Sequence, residues 1–309
     1  VSVNYTIIKF IKMPLKLLVT YVVKLAMKVP FYSQKFIRSI IFDNTKNGKI
    51  LYSNIGNESY LISSNDKVIG KEIFIKGEFE LEKFHIALSI LKNKNFKAEI
   101  IIDIGANIGS ICIPAIKRNI FQYAIAFEPE PFNYSLLLAN VNLNGLGKRI
   151  KTYNCALGAF GKDEALITLS ENNYGDHRIN YFKNDEYQIE KCESHISIKI
   201  EKIDDIITLN EPLNTLIWID TQGFEGFILK GAEKILRAKP PLVLEFWPQA
   251  MEGFSSSYEN LKDVVLHSNY EYFYDLEYAE KPIKVSSESL DLLYNELKLN
   301  NKFTDLLFV

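Results

Sequence analysis

Cysteine is scarce in this chain. The three present, Cys112, Cys155 and Cys192, share no metal-ligand spacing. An odd, scattered set excludes a disulfide framework and points to small apolar core positions in a reducing compartment. Glycine and proline are also few, at 15 and 10 residues, which excludes collagen-like and low-complexity classes. Long apolar runs are missing near the N-terminus. The uncharged stretch Leu17–Val23 is far short of the roughly 20 residues a membrane-spanning helix needs. No small-residue cleavage site follows an apolar core, so a secretory signal is not expected. Acid is absent from residues 1–42, and a basic stripe for nucleic acid is absent from the rest, so no nucleic-acid partner is expected. What remains is a 309-residue chain, 47% hydrophobic, with material for one large core and an appendage.

The N-terminal segment, residues 1–45, carries Lys9, Lys12, Lys16, Lys24, Lys28, Lys35 and Arg38 against an otherwise net-acidic chain. On a helical wheel these side chains fall within about 160° of arc, with Ile, Leu, Val and Phe on the other side. Pro14 would kink such a helix and Pro30 would stop it. Two destinations for the apolar face stay open. One is packing on its own domain or on a second subunit as a homodimer. The other is an anionic membrane surface met through residues 1–30, which makes the protein cytoplasmic and peripheral on the inner face of the membrane.

Residues 46–95 read as short strands broken by Asn, Ser and Gly (49–75), then a helix (80–91). From residue 96 to 309 strands and helices alternate, which predicts an α/β fold with a mainly parallel, doubly wound sheet. The expected strands are Ile100–Asp103, Ala124–Glu128, Ile150–Ala156, Ile196–Ile200, Leu216–Asp220 and Leu242–Phe246, with Tyr270–Tyr274 and Asp305–Val309 closing the sheet. The expected helices are Asn107–Arg118, Pro131–Leu143, Ile203–Leu209, Phe224–Arg237 and Tyr258–His267. A polar stretch, residues 170–195, interrupts the alternation and reads as an insertion or lid loop.

The sharpest local signal is Ile100-Ile-Ile-Asp103-Ile-Gly105-Ala-Asn107-Ile-Gly109: an apolar strand ending in acid, a glycine turn and a helix start. Ligands of open α/β sheets bind at the carboxyl ends of such strands. Gly105 allows close backbone approach, Gly109 allows the helix to pack near the strand, and Asn107 is placed to cap the helix. The glycines read G-x-x-x-G, the wrong spacing for a dinucleotide pyrophosphate, which Asp103 would also repel. This argues against a nicotinamide oxidoreductase, the first alternative. S-adenosylmethionine (AdoMet) carries no phosphate but does carry a sulfonium and an ammonium, which a carboxylate attracts. Glu128, ending the next strand, is positioned to accept from ribose hydroxyls.

The ordered set of stretches Asp103–Gly109, Ala126–Pro131, Asn140–Asn144, Asn154–Gly158, Trp218–Glu225, Leu229–Ala232 and Leu244–Pro248, preceded by Gly77–Glu80, resembles the FkbM-type methyltransferases over roughly residues 60–275. The resemblance implies a Rossmann-like class I fold with a seven-stranded sheet and an N-terminal helical and β extension. It implies AdoMet as methyl donor, S-adenosylhomocysteine as product, and an alcohol oxygen of a small molecule, sugar, glycan or secondary metabolite as acceptor. By position, Glu80, Asp103, Gly105, Asn107, Gly109, Glu128 and Pro129 would hold the cofactor. Asn154, Ala156 and Leu157 would lie beside its adenine, and Asp220 near the methyl. Gln222 stands where many relatives have Glu, which weakens any metal site there.

Transfer to an alcohol needs in-line alignment and a base. His177, inside the insertion, is the candidate base, with Asp176 to orient it, and Asp220 and Glu245 are the carboxylate alternatives. His85, His195 and His267 lie on regular elements and read as structural. Arg178 and Gln222 are candidate acceptor contacts, and Trp247 is a candidate stacking surface for a sugar. Asp176, Asp220 and Glu245 form no tight ligand cluster, so Mg²⁺ is not expected. A second alternative is a protein that binds AdoMet without turnover and docks at a membrane.

Overall fold

The computed structural model describes residues 14, 17, 20, 31–160, 164–170, 173–175, 177–180, 194–209, 212–254, 257–278 and 281–309. The amphipathic helix expected over residues 1–30, Asp176 and Cys192 lie outside these residues or almost wholly so. No described helix is long and apolar enough to cross a membrane.

The chain begins with a lead-in of α1 (Phe31–Asp43), the antiparallel hairpin β1 (Ile50–Ser53) and β2 (Tyr60–Ser63), α2 (Ile69–Lys76) and α3 (Leu81–Lys92). Then come β3 (Ile100–Ile104), α4 (Cys112–Lys117), β4 (Tyr123–Phe127), α5 (Pro131–Leu143) and β5 (Ile150–Tyr153). Four short strands follow: β6 (Ala156–Leu157), β7 (Glu164–Leu169), β8 (Arg178–Asn180) and β9 (Ser194–Glu201). The last part holds α6 (Ile203–Ile206), β10 (Thr215–Ile219), α7 (Glu225–Lys230), α8 (Glu233–Leu236), β11 (Leu242–Phe246), α9 (Pro248–Glu252), α10 (Ser257–His267), β12 (Tyr272–Asp275), β13 (Ile283–Lys284), α11 (Ser287–Leu299) and β14 (Thr304–Phe308).

The main sheet has the order β13-β12-β14-β11-β10-β3-β4-β5. Strands β5, β4, β3, β10 and β11 run parallel, while β14, β12 and β13 are added antiparallel. The sheet therefore has eight strands rather than seven, because the two-residue β13 pairs at the edge. Its central strands are apolar on both faces, as a sheet covered by helices on both sides requires. Ile102, Ile104, Ile217, Leu244 and Phe308 pack on one face with α7, α10 and α11. Ile101, Ala126, Leu216, Trp218 and Val243 pack on the other with α2, α3, α4 and α5. Alternate residues of one strand thus feed two cores.

The lead-in is tied to the sheet by polar contacts. The buried Asn140 of α5 accepts from the Leu61 N–H at 2.6 Å and donates to the Leu61 and Ile108 carbonyls. One side chain thus joins the hairpin, α5 and the loop after β3.

Several sequence expectations shift. The third strand ends at Tyr153, and Ala156–Leu157 pairs instead with β9 in a separate four-stranded sheet, β6-β9-β7-β8. Part of the 170–195 insertion is therefore strand: Arg178–Asn180 pairs with β7. The helix expected from Asn107 begins at Cys112, after Gly109 at φ 93°. The helix expected over Phe224–Arg237 is two, broken near Gly231, whose Cβ would collide with the Gly158 carbonyl. The helix at Ile203 is a single turn ending at Ile206.

Candidate active site

The chain leaves β3 for β4 and β5 on one side and returns to β10 on the other. This reversal opens a crevice at the carboxyl ends of β3 and β10, where such sheets bind ligands. Four neighbouring parallel strands each bring a carboxylate to that edge: Asp103 in β3, Glu128 just past β4, Asp220 just past β10 and Glu245 in β11. Gly105, at φ 87°, makes the approach possible: any Cβ there would collide with the Asp220 carbonyl oxygen.

Burial governs these acids. Asp103 accepts from the Cys112 N–H at 3.0 Å, and desolvation still pushes its pKa up to about 6. Glu128 accepts from the Asn107 N–H at 2.8 Å and the Glu130 N–H at 2.9 Å, yet burial pushes it up to about 8. Asp220 opens onto the cavity but is walled by protein elsewhere. That desolvation, reinforced by the charge of Asp305, pushes it up to about 7. Glu245 is raised well above its ordinary range by burial and then by the charges of Asp220 and Glu225. A row of acids held so far from water favours either protonation or a cationic ligand.

A cavity of about 290 Å³ lies over this edge. Among the expected site residues, Glu80, Asp103, Gly105, Asn107, Glu128, Pro129, His177, Asp220, Gln222, Glu245 and Trp247 line it. Others do not. Ala156 and Leu157 are not among its lining residues; they are buried in the core that β6 and β9 share with one face of the main sheet. Asn154 points its amide back at the Glu128 and Pro129 carbonyls, holding that turn from outside. Gly109 serves packing: a Cβ there would meet Ile113 Cδ1 at 2.5 Å. The backbone of Arg178 lies in β8, and its side chain lies outside the described residues.

Asn107 is not a helix cap. It is left-handed at φ 50°, while Ile111 occupies the cap position of α4. Its amide and that of Asn133 both donate to the Tyr174 carbonyl, at 2.8 and 2.9 Å. The insertion is thereby fastened to the loop that carries Glu128's partner. His177 lines the cavity and has a backbone partner that the sequence did not predict. Its Nδ1 accepts from the Ser170 N–H at 3.0 Å, so the neutral ring carries its proton on Nε2. In that tautomer Nε2 is a donor.

Several lining residues had no sequence signal as site residues. Val68, Ile69 and Phe79 come from the lead-in, Tyr174 from the insertion and Phe303 from the turn before β14. Among the described residues no group of His, Cys, Asp and Glu is arranged to hold a metal ion.

Residues 103–301 match the methyltransferase FkbM domain family. The chain belongs to the FkbM methyltransferase family. Its fold is similar to that of an FkbM methyltransferase from Methylobacillus flagellatus, at 19% identity and a TM-score of 0.41, over 69% of this chain and 44% of that one. The chain thus spans less than half the length of that relative. It is also similar to M. jannaschii TYW2 in complex with AdoMet, at 12% identity and a TM-score of 0.40, over 85% and 87% of the two chains. The N-terminal domain of human METTL16 in complex with SAH aligns at 13% identity and a TM-score of 0.35, over 73% and 67%. No curated protein matches the chain in sequence. Within this FkbM chain, the strand order β5-β4-β3-β10-β11-β14-β12 is the Rossmann-like class I methyltransferase sheet, with β13 added at its edge.

Proposed function

We propose that the chain is an AdoMet-dependent O-methyltransferase acting on a hydroxyl of a small molecule, sugar or glycan. The observation that carries this reading is the row of four carboxylates, on β3, β4, β10 and β11, around one cavity at the sheet's switch point. This donor set fits a ligand with a sulfonium and an ammonium and rejects a pyrophosphate. When bound, AdoMet supplies an electrophilic methyl: its C–S bond breaks as a C–O bond forms, and S-adenosylhomocysteine leaves.

The chain's residues do the rest. Glu128, pre-oriented by two backbone N–H groups, retains lone pairs for ribose hydroxyls. Asp103 and the Gly105 turn shape the floor of the cavity. Asp220 takes the acceptor proton, and Gln222 orients it by donating to Asp220 Oδ1 at 2.8 Å. His177, lining the same cavity, offers an Nε2–H donor. The direct test is transfer of a labelled methyl group from AdoMet to a hydroxylated acceptor, with the product bond identified as C–O. Label on nitrogen or carbon would overturn the O-methyl assignment.

A pH dependence follows from the raised acids. Each has a folded pKa above its unfolded value, so its stabilising contribution is full below about pH 4 and is lost as pH rises through about 6 for Asp103, 7 for Asp220 and 8 for Glu128. The unliganded protein is expected to lose roughly 5 °C or more in Tm between pH 5.5 and 8.5. Glu128→Gln flattens that slope, and AdoMet affinity in the wild type rises over the same range. A melting series at fixed ionic strength checks this. A slope unchanged in Glu128→Gln would contradict it.

The basic head supports a second property. We propose that it places the protein on an anionic membrane surface at the cytoplasmic face. Its six lysines support this, as do Phe36, Ile40 and Ile41, which α1 exposes, whereas Arg38 is turned inward onto the Phe74 carbonyl and Ser53. The protein is expected to float with vesicles containing anionic lipid and to stay at the bottom with neutral ones. Equal recovery with both lipids would rule out the electrostatic version.

A further inference from the structure

The cavity also carries a charge and ring pattern around Trp247. Trp247 and Phe303 line it with ring centroids 5.8 Å apart and planes tilted by 46°. Phe303 is 49% exposed, so part of its ring is open to a ligand in the cavity. Glu80, Asp220 and Glu245 line the same cavity. The amide of Gln222 donates to Asp220 Oδ1 at 2.8 Å and to both Glu245 oxygens at 3.2–3.3 Å. One neutral amide therefore serves both carboxyl groups and brings no positive charge to them. Among the described lining residues none is Lys or Arg. Lys83, which is not among the lining residues, is paired with Asp305 at 2.7 Å, and it lies 5.1 Å from the Phe303 ring centroid.

We propose that this subsite takes a cationic amino alcohol, such as an amino sugar, in preference to a phosphorylated or carboxylated acceptor. The proposal rests on the methyltransferase reading above. Aromatic faces beside carboxylates are the chemistry that recognises an ammonium, and the apolar face of a sugar ring stacks on the same aromatic surface. Glu245 serves as counter-ion and Asp220 stays available to a neighbouring hydroxyl. An ammonium held protonated in this way has no lone pair for the methyl, which directs transfer to oxygen. A phosphate or carboxylate entering the same space meets these acids and, among the described lining residues, no cation.

The chain contains two tryptophans, Trp218 and Trp247, and both line the cavity. Intrinsic fluorescence therefore reports on this site. The experiment titrates glucosamine, glucose and glucose 6-phosphate into the full chain saturated with S-adenosylhomocysteine at neutral pH, with affinity for S-adenosylhomocysteine measured by calorimetry on the same sample. The expected order is glucosamine, then glucose, then glucose 6-phosphate, with about tenfold or more between first and last. Phe303→Ala is expected to weaken glucosamine by about tenfold while affinity for S-adenosylhomocysteine stays within about threefold. Glucose 6-phosphate binding as tightly as glucosamine, no glucosamine response, or a Phe303→Ala variant that binds glucosamine as the wild type does would each overturn the inference. In those cases S-adenosylhomocysteine still binds and the cofactor reading stands. Failure of S-adenosylhomocysteine itself to bind overturns both.

Discussion

Replacing Asp220 with Asn is expected to lower kcat by about 10³, within the 10²–10⁴ range of a lost general base. Cofactor affinity should change by no more than a few-fold. Asp220 lines the cavity just past β10, and burial pushes its pKa up to about 7. A carboxylate of that pKa is ionised for roughly half its population at neutrality and retains real basicity, which an ordinary aspartate lacks. The sign in pH follows: the ionised form is active, so kcat in the wild type climbs as pH rises through about 7 and levels off above it. The Asp220→Asn side chain keeps the size and the hydrogen-bonding reach but cannot take a proton, so the variant's residual rate should lose that limb. Pre-steady-state methyl transfer over a pH series separates this step from product release. A variant with full kcat, or one that keeps the same pH limb, would move the base elsewhere. His177→Ala, by contrast, should cost less, because Nδ1 is already committed to the Ser170 N–H and the ring acts as a donor.

Gly105→Ala is expected to be the most damaging small substitution in the fold. Two costs fall together. The backbone sits at φ 87°, strained for any residue with a Cβ, and the new methyl would collide with the Asp220 carbonyl oxygen. That oxygen belongs to the loop after β10, whose Asp220 N–H donates to the Ile104 carbonyl at 3.0 Å, so relief requires β3 and β10 to separate at their carboxyl ends. A loss of about 3 kcal/mol or more is expected, with cofactor binding lost in whatever fraction still folds. Chemical denaturation measures the first and calorimetry the second. Gly145→Ala is the control: that glycine is also at positive φ, but its Cβ would meet nothing within 4 Å, so only backbone strain is incurred. Equal stabilities of the two variants would show that the close approach at Gly105 contributes nothing.

The carboxyl ends of the parallel strands were the most legible part of the molecule. Ile100–Asp103, Ala124–Glu128, Leu216–Asp220 and Leu242–Phe246 each show an apolar run with an acid at or near its end, and each acid lines the cavity. Such runs need both faces buried, and few other arrangements satisfy them. What the sequence hid was backbone conformation and long-range contact. An Asn before a helical pattern reads as a cap, and only the left-handed φ of Asn107 reveals a clamp on Tyr174, 67 residues away. Ala156 and Leu157 continue an apolar pattern from β5, but the chain turns after Tyr153 and carries them into another sheet. Helix α11 carries Ser289 instead of Glu at the third position of its capping box, so its start lacked the usual signature. Ile69, Tyr174 and Phe303 meet Trp247 around one cavity from four distant parts of the chain. No local pattern records such a meeting. His177 was found as a cavity residue by its place in the insertion, but its tautomer depends on the Ser170 N–H seven residues back.

The central claim is that the acid-lined crevice holds AdoMet. Calorimetric titration of AdoMet, with NAD in parallel, into the full chain and its Glu128→Ala variant tests it most directly. The account predicts saturable AdoMet binding, no NAD binding, and AdoMet affinity weakened by about tenfold or more in the variant, since Glu128 presents a carboxylate already oriented by two backbone N–H groups. A folded wild-type chain that binds NAD, or that gives no heat with AdoMet, would contradict it.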